Sequence, residues 1–119
     1  MFVNFSNHPS VRWSKEQKEA AEKYGEIVDI AFPNVDPKAT ESEISSLANK
    51  FITEISAMRP DAVMCQGEFT LSFAVITRLK NLNIPVYAAC SERVVKEIVC
   101  EDGTVKKEVE FVFAGFRKF

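Results

Sequence analysis

Residues 62–70, Ala62-Val63-Met64-Cys65-Gln66-Gly67-Glu68-Phe69-Thr70, decide the fold. Ala62–Cys65 is a run without a polar face, which is how a strand covered on both sides of a parallel sheet reads. Gln66-Gly67-Glu68 turns the chain, and helical spacing follows from Phe69 to about Leu82. A second apolar run, Ile84–Ala89, comes next. Its Pro85 sits near the start of the strand, where a missing N–H is tolerated. Strand, tight turn, helix and strand make a βαβ unit.

Upstream the same alternation repeats. Thr40 and Glu43 have capping-box spacing. Behind them Ile44, Leu47, Ala48, Phe51, Ile52, Ile55 and Met58 step by threes and fours along one helical face, until Arg59-Pro60 ends it. Glu26–Phe32 is a strand stopped by Pro33, and Asn34–Pro37 is a connecting loop. A further capping box, Ser14 with Gln17, opens a helix with Trp13, Ala20, Ala21 and Tyr24 on one side, and Gly25 is its C-terminal glycine. Phe2–Phe5 is the first strand and Ser6–Ser10 the polar loop after it. Downstream, Val94–Cys100 and Val105–Phe113 flank Glu101-Asp102-Gly103-Thr104 and read as a β-hairpin. In its second arm Val105, Lys107, Val109, Phe111 and Phe113 share a face. The expected fold is one α/β domain over residues 1–119. It is a three-layer, Rossmann-like open sheet with parallel core order 2-1-3-4 and a C-terminal antiparallel β-hairpin.

Composition narrows the function classes. The chain has 119 residues, 46% hydrophobic and 27% charged, with ten Phe, which excludes disorder as the main state. Net charge is −2, so a surface that coats duplex nucleic acid is not expected. No apolar run is long enough to span a bilayer, and the first residues lack a signal-peptide pattern, so the expected location is the cytoplasm. Cys65, Cys90 and Cys100 show no CxxC spacing and there is one histidine. Reduced, buried thiols are expected, with no metal site and no cofactor.

Ligands of open α/β sheets gather at the carboxyl ends of the strands near the switch in strand order. Order 2-1-3-4 puts that switch between the first and third strands. Three polar segments are expected there: Ser6-Asn7-His8-Pro9-Ser10, Gln66-Gly67-Glu68-Phe69-Thr70 and Cys90-Ser91-Glu92-Arg93. Gly67 either lets the backbone approach a ligand or only makes the turn. The helix after it presents free N–H groups suited to phosphate. His8, the single histidine, is a ligand contact, a proton-transfer group or an ordinary loop residue. Ser6, Ser10 and Ser91 are hydroxyl donors or turn residues. Glu68 is a partner for a ribose hydroxyl or a helix-end acid. Arg93 is a phosphate contact or a surface residue, with Arg12 and Arg117 as weaker candidates. Dinucleotide and P-loop fingerprints are absent. A Ser-His-acid set can be written from these residues, but without the strained serine turn that acyl hydrolases build.

The third helix carries two apolar stripes, Phe69-Phe73-Ile76 and Leu71-Val75-Leu82. One stripe covers the sheet. The other is expected to meet a second copy in a two-fold homodimer, or to lie under the hairpin.

The opening Phe-x-Asn-Phe-Ser-Asn-His-Pro-Ser with Trp-Ser-x-Glu-Gln resembles small prokaryotic proteins found with CRISPR systems. So do Tyr24–Asp29, Phe32–Pro37, Gln66–Thr70 and Ser91–Glu97. The chain is similar to stand-alone members of the CRISPR-associated Rossmann fold, the CARF domain. That resemblance implies binding of cyclic oligoadenylate, the second messenger of type III CRISPR antiviral defence, across a symmetric dimer. It implies ring-nuclease activity in some members. It also implies Ser6, Asn7 and His8, then Gly67, Glu68 and Thr70, then Ser91 and Arg93, as the ligand-facing set. The resemblance is to members that stand alone, so an attached effector domain, common among better-known CARF proteins, is not expected. Ring cleavage can use a ribose 2′-hydroxyl as nucleophile, which requires in-line positioning and stabilisation of the extra charge. His8, Ser6 and Arg93 are the residues expected to do this, with Asn7, Ser10, Gln66, Gly67, Glu68, Thr70 and Ser91 binding the ligand. The leading expectation is slow, metal-independent cleavage of a cyclic oligoadenylate. The alternatives are a non-catalytic sensor or sponge for the same ligand and a protein–protein adaptor that binds no nucleotide.

Overall fold

The computed structural model describes residues Met1–Phe119. Five strands form one sheet: β1 (Phe2–Ser6), β2 (Ile27–Ala31), β3 (Ala62–Gln66), β4 (Val86–Val99) and β5 (Val105–Lys118). Their order is β2-β1-β3-β4-β5. β1 pairs in parallel with β2 and β3, and β3 with β4, while β4 and β5 are antiparallel. This is the expected parallel core with its terminal hairpin. The helices are α1 (Lys15–Glu22), α2 (Glu41–Ala57) and α3 (Phe69–Asn81), with a single 3-10 turn at Ser10–Arg12. No helix is long and apolar enough to cross a membrane.

Strand alternation sorts the core into two faces. Val3 and Phe5 of β1 join Val63, Cys65 and Val86 beneath α2 and α3, which contribute Phe51, Ile55, Leu71, Val75 and Leu79. Phe2 and Met64 point the other way, onto Trp13 and Ala21. Each large apolar side chain so buried contributes roughly 1.5–3 kcal/mol. Phe5 stacks against both Phe32 and Phe51 with ring centroids 4.8 Å apart. Burial pushes the Cys65 thiol up to about 12, so it stays protonated. Cys90 and Cys100 are only half-buried, unlike the expectation, and all three cysteines are free.

The helix starts follow their caps. Thr40 and Glu43 form the full reciprocal box. Ser14 Oγ accepts from the Gln17 N–H at 3.2 Å, but the Gln17 amide turns to Met64 Sδ at 3.9 Å, so this is a one-sided cap rather than a box. On α3, Leu71, Val75 and Leu79 are buried while Phe69 and Phe73 are 91% and 72% exposed. Leu82, expected in the inner stripe, is exposed just past the helix.

One segment departs from the sequence reading. Cys90–Arg93 is not a loop between a fourth strand and a separate hairpin. It lies within the single long strand β4, with Ser91 opposite Phe113 and Arg93 opposite Phe111. The register slips between Cys90 and Ser91, leaving Ala114 as the extra residue of a bulge. Beyond the bulge the ribbon carries on without a third strand or a helix beside it. It stretches the molecule to 57 × 37 × 21 Å with a radius of gyration of 17.4 Å. Length scaling gives about 13.5 Å for a compact chain of this size.

Candidate functional site

The loop after β1 is built from beneath. Asn4, on the α1 side of β1, is 1% exposed. Its Nδ2 donates to the His8 carbonyl at 2.9 Å and to Asp29 Oδ1 at 3.0 Å. Its Oδ1 accepts from Ser6 Oγ at 2.6 Å, and Ser6 Oγ accepts from the His8 N–H at 3.1 Å. Trp13 Nε1 also donates to the His8 carbonyl, at 3.0 Å. Asp29, on the neighbouring strand, accepts from both the N–H and the hydroxyl of Ser10 at 3.1 Å. A short polar net therefore fixes the backbone of residues 6–10 and leaves the His8 side chain exposed.

Beside this loop, at the carboxyl ends of β1 and β3 where the strand order switches, lies a cleft of about 700 Å³. Asn7, His8 and Arg12 bound it on one side, with Trp13 and Gln17. Met64, Gln66 and Ala89 lie across the strand ends, and Ser91, Phe111 and Phe113 close the side formed by the ribbon. The chain holds 17 Asp and Glu, yet none of them lines this cleft, and Arg12 is its one formal charge. A low-dielectric wall with one cation and no carboxylate favours an anion. Phe111 and Phe113 give flat apolar surface next to it, and the edge of the buried Trp13 lies at the base of the cleft. Gln66 Oε1 accepts from the Ala89 N–H at 2.7 Å, tying β3 to β4 where their backbone ladder has already ended at Met64–Tyr87.

The residues expected to converge do so only in part. Asn7, His8, Gln66 and Ser91 line the cleft. Ser6 is 4% exposed and its hydroxyl is committed to Asn4 and His8, so it holds the loop. Ser10 is committed to Asp29. Arg93 is an exposed strand residue, one pleat repeat beyond Ser91 on the same ribbon face.

The start of α3 resolves its open readings differently. The Glu68 carboxylate accepts from the Thr70 and Leu71 N–H groups at 2.9 and 2.8 Å, and from Thr70 Oγ1 at 2.8 Å. These bonds, Leu71 first and then Thr70, hold its carboxyl below the usual range. Glu68 is thus the helix N-cap, and it occupies the N–H groups that a phosphate would need. Gly67 faces the Phe32 ring, whose atoms would lie 2.5 Å from a Cβ there. Its lack of a side chain serves packing. Gly67 and Thr70 lie outside the cleft, on the flanks of α3.

Asn4, Asp29, Trp13, Gln17 and Phe111 were not singled out for this site by the sequence. One signal was present: Asn4 and Ser6 occupy inward-facing alternate positions of a buried strand, where polar side chains need partners. No curated protein matches the chain. A family model matches residues 1–117, and on that match the chain belongs to the Uncharacterized protein MJ1673 family.

Proposed function

We propose that this protein is a CARF-like, cytoplasmic binder of cyclic oligoadenylate, acting as a homodimer, and that it cleaves the ring slowly without metal. The observation that carries the reading is the carboxylate-free cleft at the strand-order switch, with Arg12 and His8 beside Trp13, Phe111 and Phe113. Its size falls within the roughly 300–1,000 Å³ of ligand pockets. Phosphate needs donors and a cation, which Arg12, Asn7, Gln17, Gln66 and Ser91 supply. Adenine needs flat apolar partners, which the aromatic side chains supply. The sequence resemblance to CARF proteins supports the same ligand.

In this reading the chain positions rather than attacks. A ribose 2′-hydroxyl displaces the neighbouring 5′-oxygen at phosphorus, leaving a cyclic phosphate end. The P–O bond to the 5′-oxygen breaks and that oxygen takes up a proton. Arg12 balances the charge gathering on the phosphoryl oxygens. His8, on a loop held by three hydrogen bonds to its own backbone, is the group placed to move a proton. Ser6 acts through that loop, and Arg93 reaches only a ligand that extends outward along the ribbon.

The test is incubation with labelled cyclic tri-, tetra- and hexa-adenylate in EDTA. Linear products are expected. Retention of intact ligand indicates a sponge, and neither product nor retention overturns the reading in favour of an adaptor. Arg12→Ala removes a charge-assisted contact worth roughly 1.5–3 kcal/mol and should weaken retention about 10- to 150-fold. His8→Ala should reduce turnover more than retention.

A further inference from the structure

Two apolar surfaces of this chain have no partner within it. The first is the arm, the β4–β5 ribbon beyond the bulge. Its face carries Val95, Val99, Val105, Val109 and Phe111, all 46% exposed or more, around the cross-strand pair Glu97–Lys107, with Arg93 opposite Phe111 at its root. The second is a trough of about 720 Å³ along α3, lined by Phe69, Phe73, Ile76 and Phe119. The trough exists because β4 runs straight into the ribbon. No fourth crossover helix follows it to cover the outer flank of α3.

We infer that the arm of each molecule docks in the α3 trough of a second copy, giving a reciprocal two-fold clasp. The clasp rests on the homodimer of the reading above and says which surfaces make it. Three observations favour a second copy as the occupant. A two-stranded ribbon is marginal in water without a third element against its apolar face. This arm has that need in every molecule, and every molecule also carries a vacant apolar trough. Dimensions agree as well. Nine residues of strand extend about 30 Å and the thirteen residues of α3 about 20 Å, so the arm spans the helix.

Area then separates the clasp from simpler pairings. Over the roughly 20 Å of α3, one ribbon face about 10 Å wide removes on the order of 300 Å² from each partner. A two-fold axis makes the contact twice, so the total is on the order of 1,200 Å², the lower end of the range of stable specific interfaces. Two arms stacked on each other over their full length make the contact once, roughly 800–1,000 Å² in total, short of that range. Glu97 faces Lys107 across the strands and leaves the middle of the arm neutral, while Arg93 stands on the same face opposite Phe111 and Lys80 lines the trough, so charge does not drive the docking and the apolar side chains must. Phe111 belongs to both the arm face and the cleft wall, so a copy seated on the arm also shields the outer side of the cleft.

The test uses sedimentation over a concentration series with two variants of the full chain. Val99→Glu charges the arm and Phe73→Lys charges the trough, both at positions more than 70% exposed, and circular dichroism verifies the fold. The wild type is expected to be a dimer and each variant to dissociate at least 100-fold more readily. An equimolar mixture retains one intact arm–trough contact and should associate at least tenfold more tightly than either variant alone. A wild-type monomer, a variant as dimeric as wild type, or a mixture no tighter than its components overturns the clasp. In particular, arm-to-arm pairing leaves Phe73→Lys dimeric, and helix-to-helix pairing leaves Val99→Glu dimeric. Retention of labelled cyclic adenylate is read separately on the wild type. A monomer that retains it overturns the clasp and the homodimer but leaves the ligand reading standing, and a clasped dimer that retains none overturns the ligand reading alone.

Discussion

Asn4→Ala tests the polar net under the His8 loop. The substitution removes two donated bonds, to the His8 carbonyl and Asp29, and one accepted from Ser6, all between 2.6 and 3.0 Å. The bond to the Asp29 carboxylate is charge-assisted, about 1.5–3 kcal/mol, and the others are about 0.5–1.5 kcal/mol each. Water entering the vacated space recovers part of this, so the expected loss is about 3 kcal/mol. That is a large share of the roughly 5–15 kcal/mol that holds a domain folded. For a chain of this length about 1 kcal/mol moves the melting temperature by roughly 3–5 °C, so the variant should melt about 10–15 °C lower. Calorimetry measures the shift. Tryptophan emission reports the loop directly, because Trp13 is the single tryptophan and its indole N–H bonds the same carbonyl. A variant that melts within about 4 °C of wild type, with unchanged emission, would refute the claim that Asn4 organises the loop.

Gly67→Ala should destabilise by about 1–3 kcal/mol through overpacking, since Phe32 is wedged against Phe5 and cannot withdraw. Gly67→Ala combined with Phe32→Leu should recover part of that loss in chemical denaturation, and full additivity would show the two do not touch. Glu68→Ala should cost about 0.5–2 kcal/mol as a lost N-cap, read the same way. Because the folded-state pKa of Glu68 is depressed, its contribution is present above the ordinary carboxylate value and fades as acid titrates through the lower folded one. Glu68→Gln should therefore flatten the acid limb of the stability profile, and an unchanged limb would count against the cap.

The parallel core could be read from residues because its elements are signalled locally. The run Ala62–Cys65 has no polar face, α2 has a full capping box, and Pro60 and Gly25 punctuate the helices. The length of β4 could not be read in this way. Ser91-Glu92-Arg93 has the polarity of a loop because neither face of the ribbon is covered by its own chain, so the apolar alternation that marks a strand is interrupted. The site divides on the same ground. Asn7, His8 and Gln66 reach the cleft because strand ends of an α/β sheet lead there, while Ser91 reaches it from within β4, just past the bulge. Ser6, Ser10 and Glu68 have the same residue chemistry but are consumed by Asn4, Asp29 and a helix end. Only three-dimensional neighbours distinguish a donor already satisfied from one left for a ligand.

Asp29 has a consequence outside the cleft. It sits mid-way along β2, the five-residue strand at one border of the sheet, and places a negative charge on that border. Short, charged borders resist recruitment of foreign strands, so polymerisation through β2 is blunted. The opposite border is β5, fourteen residues long, guarded along its run by Lys106, Lys107, Glu108, Glu110 and Lys118. Neutralising those charges would leave that border a template for cross-β growth.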